Sequence, residues 1–196
     1  MSKTRSLQSF LPIVFAFILM STGIVQGQTA IQKPKFSTVN EVGLLTGEKG
    51  EAMMLQTING LRKNRSFAGL GVGLDFYGNR TIPLFLDYRY ELSTHKNIPF
   101  IYANAGINFL WLNFIQKEQL NFPSPSPGLY YDLGLGLKLP GKNHGGFILT
   151  AGYSLKQVKY ATRSFSIAPT PQLDADNKDR YTFLFRRLAI KIGLQL

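Results

Sequence analysis

Between Gly128 and Leu139 apolar and polar positions alternate with a period of two. Leu129, Tyr131, Leu133, Leu135, Leu137 and Leu139 fall on one side, and Tyr130, Asp132, Gly134, Gly136 and Lys138 on the other. Successive side chains of a strand point to opposite faces, so this spacing predicts a strand with one apolar face and one polar, Gly-rich face. The period returns through most of the chain after residue 65. It predicts about eight strands, at roughly 36–46, 51–62, 65–77, 81–93, 98–112, 128–139, 146–157 and 181–196. In 65–77, Leu70, Val72, Leu74 and Phe76 oppose Gly69, Gly71, Gly73 and Asp75. In 81–93, Ile82, Leu84, Leu86, Tyr88, Tyr90 and Leu92 oppose Phe85, Asp87, Arg89 and Glu91. The last strand sets Leu184, Leu188, Ile190, Ile192, Leu194 and Leu196 against Arg187, Ala189, Lys191, Gly193 and Gln195. The first two segments alternate less cleanly, and their phase stays open.

The connections are unequal. Those at 63–64, 94–97 and 141–145 are tight and supply Gly and Asn for positive φ. Those at 113–127 and 158–180 are long and carry Pro123, Pro125, Pro127, Pro169 and Pro171, so they are expected to be extended and non-helical. Two short connections, 47–50 and 78–80, fall on the same side as the long ones. Long connections therefore gather at one end of the sheet and tight turns at the other. A membrane barrel whose N-terminus starts on the periplasmic side has this asymmetry.

Ahead of the strands, Lys3 and Arg5 precede an apolar run from Phe10 to Met20, and Val25-Gln26-Gly27 offers short residues before a cut at Gln28. This reads as a signal peptide over 1–27, cleaved to leave 28–196 as one β-barrel domain. The rival is a retained anchor, but the run is short for a span of about 20 residues and contains Pro12. Cleavage lowers the net charge of +11 by the two bases Lys3 and Arg5. The chain has no Cys, which excludes a disulfide framework, a thiol nucleophile and Cys-based metal sites. Export and the lack of any Lys/Arg run speak against nucleic acid as a partner. The basic balance fits anionic lipid head groups instead.

Two eight-stranded architectures accommodate the alternation. A soluble, lipocalin-like carrier turns its apolar face inward around a greasy ligand. A transmembrane barrel turns the polar face inward and the apolar face to lipid. The polar face separates them. It holds Glu41, Asp75, Asp87, Glu91 and Asp132 against Arg89, Lys138, Lys156, Arg187 and Lys191, five acids and five bases. The outer surface of a strongly basic protein has no reason to balance so closely. A closed lumen does, because unpaired buried charge is costly. Gly on the same face leaves room for long ionic side chains. The expected fold class is therefore all-β, a closed antiparallel up-and-down transmembrane β-barrel of about eight strands, with a salt-bridged lumen that does not conduct. Tyr88, Tyr90, Trp111, Tyr131, Tyr153 and Tyr181 are candidates for interfacial aromatic girdles.

The leader, Glu41-Val42-Gly43, Gln56-Thr57-Ile58-Asn59-Gly60, Gly71-Val72-Gly73-Leu74-Asp75, Pro83-Leu84-Phe85-Leu86-Asp87-Tyr88-Arg89 and the terminal strand resemble the small outer-membrane β-barrel proteins of Gram-negative bacteria. The eight-stranded OmpX/OmpA-like class is nearest in shape, and the resemblance covers 36–196. It implies an integral outer-membrane location among lipid and lipopolysaccharide. It also implies that the barrel-assembly machinery reads the stripe Leu188, Ile190, Ile192, Leu194 and Leu196, where Leu196 takes the place of the family's usual terminal aromatic. The peptidoglycan-binding domain of longer members is not expected after Leu196. A monomer is expected. Outward-facing Arg186 is a candidate contact for a lipopolysaccharide phosphate. Function is expected in the long connections, in surface interaction, adhesion or envelope integrity, with Tyr160, Arg163 and Phe165 as candidate contacts for an extracellular partner.

Some barrels of this class are lipid A acyl-transfer or deacylating enzymes, which makes a lipid-modifying enzyme the alternative. That chemistry needs a Ser activated by His near the outer leaflet. The only histidines, His95 and His144, fall in tight turns at the predicted periplasmic end. Asp87 and Glu91 share a face with Arg89 between them, which reads as an ion-pair cluster. Asp174, Asp176 and Asp179 lack the Gly and terminal Glu of a calcium loop. No catalytic residue, cofactor or metal ligand is assigned.

Overall fold

A computed structural model describes residues 33–94, 96–112, 124–141, 145–163 and 178–196. The expected signal peptide, His95, His144, Phe165, Asp174 and Asp176 lie outside the described residues. The strands are β1 (Lys35–Gly47), β2 (Gly50–Lys63), β3 (Ser66–Asp75), β4 (Thr81–Glu91), β5 (Ile98–Leu110), β6 (Ser124–Ser126), β7 (Gly128–Pro140), β8 (Gly146–Arg163) and β9 (Lys178–Gln195). All but β6 pair antiparallel in the ring order β1-β2-β3-β4-β5-β7-β8-β9, and β9 returns to pair with β1. The chain is thus a closed eight-stranded up-and-down barrel. Within the ring, closure leaves no strand edge unpaired, the condition for strands in hydrocarbon.

The stagger fixes the bore. Cross-strand partners followed once around run Ser37, Gly60, Gly69, Asp87, Asn104, Asp132, Ser154, Arg187 and back to β1 at Gly47. A shear of about ten residues over eight strands tilts them by roughly 40° and leaves an interior that side chains fill. The tight turn Asn64-Arg65 joins β2 to β3 with Asn64 at φ 54°, a left-handed value that Asn tolerates.

Both faces sort by parity. Leu133, Leu135, Ile190 and Ile192 are 58–65% exposed, while Glu41, Asp132, Lys156 and Arg187 are at most 4% exposed. An apolar belt this extensive, wrapped around a charged interior, spans a membrane and excludes the soluble carrier with an inward apolar face. In the first two strands the inward residues are Ser37, Val39, Glu41, Gly43 and Leu45 on β1, and Met54, Gln56, Ile58, Gly60 and Arg62 on β2. Apolar residues point inward there and Thr38, Asn40, Thr57 and Asn59 point outward, which is why the alternation is blurred in the sequence.

Three boundaries differ from expectation. The strand predicted over 65–77 stops at Asp75, because the Tyr77 N–H turns back to Asp75 Oδ1 at 2.9 Å and Gly78 takes φ 63°. The connection expected over 158–180 is strand at both ends: β8 runs to Arg163 and β9 starts at Lys178. Inside the connection expected over 113–127, Ser124–Ser126 pairs with Lys159, Tyr160 and Ala161 of β8. The predicted girdle is also redistributed. Tyr131 and Tyr153 stand inside the belt, opposite Leu155 and Leu133, and Tyr181 lies above it.

Lumenal Gly residues serve close approach. Gly71 is the cross-strand partner of Phe85, and Gly136 that of Phe100. A Cβ on either Gly would overlap the facing ring. Gly136→Val is therefore expected to cost about 1–3 kcal/mol by overpacking. Urea unfolding in lipid vesicles, followed through the single Trp111, checks it.

Candidate functional site

Inward side chains form three ionic tiers along the lumen. In the middle tier, Arg89 of β4 lies between Asp87, two residues away on the same face, and Glu41 of β1 across the bore. Its Nε donates to Asp87 Oδ1 and Oδ2 at 3.0 and 3.1 Å, and Nη1 and Nη2 donate to Glu41 Oε1 and Oε2 at 3.1 Å each. The fork geometry adds direction to the charge pairing. Gln56 also donates to Glu41. Beside this group, Lys191 Nζ donates to Asp132 Oδ2 at 2.5 Å and sits 4.4 Å from the Tyr102 ring centroid. The Tyr102 hydroxyl donates to Asp132 Oδ1 at 3.0 Å.

Toward the end that holds the long connections, Asp75 accepts from two cations. Lys156 Nζ donates to its Oδ1 at 2.9 Å, and Arg187 Nη1 donates to its Oδ2. Lys156 also donates to the Tyr77 carbonyl at 2.6 Å and the Asn79 carbonyl at 3.0 Å, and so pins the short β3–β4 connection across the mouth. Tyr77 plugs it: the residue is 1% exposed, packs edge-on against Phe185 and accepts from the Lys49 N–H at 2.7 Å. At the opposite end, Glu91 accepts from Arg62 Nη2 at 2.6 Å and pairs with Lys138 Nζ at 3.6 Å.

All ten charges predicted for the lumen thus point inward, but in separate groups. Asp87 and Glu91 share a face without sharing a cation. Among the described residues every lumenal carboxylate is engaged by at least one base. Two apolar clusters pack against the tiers, one around Phe85, Phe100 and Tyr130, the other around Leu45, Met54, Tyr77 and Phe185 at the mouth. A gap beside Arg62, Arg89 and Glu91 has about 10 Å³, room for about one water.

The sequence reading missed Arg62, Tyr77 and Phe185. Arg62 shares the parity of Gln56 and Ile58 and becomes inward once the phase of β2 is known. Phe185 shares the parity of Arg187 and was detectable on that ground. Nothing local marks Tyr77 as a plug, because the turn after Asp75 depends on partners in β8 and β9.

Above the barrel, β8 and β9 continue as a hairpin. β7 pairs with β8 only as far as Tyr130 and Lys156, and β1 pairs with β9 only as far as Gly47 and Arg187. The β8–β9 ladder runs on to Arg163 and Lys178, roughly 20 Å of strand beyond the ring. On the face continuous with the lumen, Tyr160, Tyr181, Phe183 and Phe185 form a run of stacked rings. The Tyr160–Tyr181 centroids are 5.6 Å apart, Tyr160–Phe183 5.8 Å and Phe183–Phe185 6.4 Å. Phe185 seals the mouth, while Tyr181 and Phe183 are exposed. Of the predicted contact residues, Tyr160 joins this row, Arg163 ends β8, and Phe165 lies outside the described residues. Arg186 is exposed on the outward face between Leu184 and Leu188.

No family model matches the sequence, and no curated protein sequence matches it. Solved structures do match in shape. Neisserial surface protein A aligns with a TM-score of 0.52 at 11% identity, over 84% of this chain and 99% of that one. A major outer membrane protein from Thermus thermophilus aligns with a TM-score of 0.47 at 14% identity, over 82% and 98%. The outer membrane protein OprG from Pseudomonas aeruginosa aligns with a TM-score of 0.45 at 10% identity, over 84% and 96%. At such identities the likeness is one of fold. The chain has the closed barrel fold of small outer-membrane proteins.

Proposed function

We propose that this chain is an integral outer-membrane protein that acts outside the membrane through its β8–β9 hairpin and adjoining connections, in surface interaction or envelope integrity. It neither conducts solutes nor catalyses a reaction. The observation that carries this reading is the hairpin itself, which lifts the exposed rings of Tyr181 and Phe183, with Tyr160 stacked on them, beyond the barrel. Flat aromatic side chains present contact area with few rotors to order, as binding surfaces require. The packed, ion-paired lumen supports the absence of conduction. Arg186 is the proposed contact for a lipopolysaccharide phosphate at the outer edge of the belt. The outward stripe of β9 is the feature offered to the assembly machinery.

The chain has no Cys, so single cysteines report cleanly. An impermeant maleimide on intact cells is expected to label Thr182→Cys at the hairpin and to spare Lys63→Cys at the opposite end. The reverse pattern overturns the orientation. In planar bilayers the purified protein is expected to give no steady current steps, and sustained openings would contradict the closed lumen. Tyr160→Ala with Phe183→Ala is expected to leave heat-modifiable gel migration intact and to lower cell adhesion or detergent resistance severalfold. A phenotype lost on deletion but untouched by this pair, or lipid A whose mass changes on deletion, removes the hairpin from the function.

A further inference from the structure

The lipid-facing side of the barrel is not uniform. Outward residues are apolar from Leu84 to Tyr90, from Ile101 to Phe109, from Leu129 to Leu139, from Phe147 to Leu155 and from Leu188 to Leu194. On β1 and β2 they include Thr38, Asn40, Thr57 and Asn59. In register, Thr38 faces Asn59 and Asn40 faces Thr57. Phe36 and Leu61 bracket these pairs on one side, and Leu44 and Met53 on the other; all four are exposed. The polar pairs therefore face hydrocarbon and not head groups.

Thr38 Oγ1 donates to Asn59 Oδ1 at 2.8 Å, so one pair is satisfied internally. Neither the Asn40 amide nor the Thr57 hydroxyl makes a side-chain hydrogen bond among the described residues. An amide facing acyl chains without a partner is costly, because lipid tails supply neither donor nor acceptor.

The geometry points to a second copy of this chain as the partner of this face. A membrane holds both copies in one orientation, so their two-fold axis must run along its normal. The same polar row then arrives at the same depth on each side. An Asn amide donates and accepts, and a Thr hydroxyl does both, so Asn40 can exchange hydrogen bonds with Asn40 of the partner subunit or Thr57 of the partner subunit. Association in lipid relies on such bonds and on close approach of small residues. The outward positions beside the pair, Val42 and Val72, are shorter than the Leu and Ile side chains around them. They border an open furrow of about 760 Å³ between Leu55 and Leu74 on one side and Ile192 and Leu194 on the other. A dimer replaces the monomer expected from the sequence.

Full-length protein in lipid vesicles, titrated over protein-to-lipid ratio and read by energy transfer between labelled copies, tests this inference. A dimer is expected. Asn40→Leu with Thr57→Val is expected to weaken it about tenfold or more, and the apolar pair suits lipid, so folding is retained and heat-modifiable migration verifies it. Under oxidation, Asn40→Cys is expected to give a disulfide-linked dimer, and Leu135→Cys on the opposite wall is not. Unchanged energy transfer in the double variant, or equal cross-linking at both positions, overturns the inference. Cross-linking of Asn40→Cys to another membrane protein, with the purified chain remaining monomeric, overturns the second copy as the occupant.

Discussion

Asp75→Asn is expected to destabilise the barrel by about 3–5 kcal/mol, the usual consequence of removing one partner from a buried ionic group. The carboxylate takes Lys156 on one oxygen and Arg187 on the other, and all three side chains are buried. Asn keeps the shape and loses the charge, which leaves two buried cations facing each other. Such a loss is a large fraction of the stability of a domain. Urea unfolding in vesicles, or loss of the heat-modifiable gel band, reads it. Replacing Lys156 and Arg187 by Met in the same chain is expected to restore most of the stability, because an apolar substitute for a whole buried ionic group is often neutral. A triple variant as unstable as the single one would mean that the carboxylate acts by some other route, such as its bond to the Tyr77 N–H.

Leu133→Arg tests the direction of the faces. Leu133 is 59% exposed, on β7 between Ala103 and Tyr153. On a soluble protein, a charge at so exposed a position is close to neutral. Near the middle of a lipid belt it is expected to cost about 2–4 kcal/mol, and Leu139→Arg at the turn end about 0–1 kcal/mol. Unfolding free energies in vesicles give both values, and equal costs at the two positions would contradict the belt.

Much of this was legible from residue spacing. Asp132, Lys138 and Lys191 could be assigned to one face because each stands between residues that lipid requires to be apolar, and Arg187 follows from its parity with Lys191; one face of a strand cannot be altered without moving the other. Which acid meets which base was not legible. Glu41 and Arg89 are separated by 48 positions, and only the curvature of the closed sheet brings β1 across from β4. The length of the β8–β9 hairpin was also hidden. Beyond the belt both faces meet water, so Lys159, Thr162 and Arg180 read as a connection although the backbone ladder continues through them.

Local alternation is enough to give the number of long strands, the phase of those after residue 65 and the charged content of the interior. Lipid on one side and a narrow bore on the other impose that alternation residue by residue, so it is written into neighbouring positions. The stagger, the three ionic tiers, the Tyr77 plug and the outward turn of Asn40 and Thr57 emerge only in the folded ring. They depend on register between strands far apart in the chain, and that register is set by closure of the whole barrel.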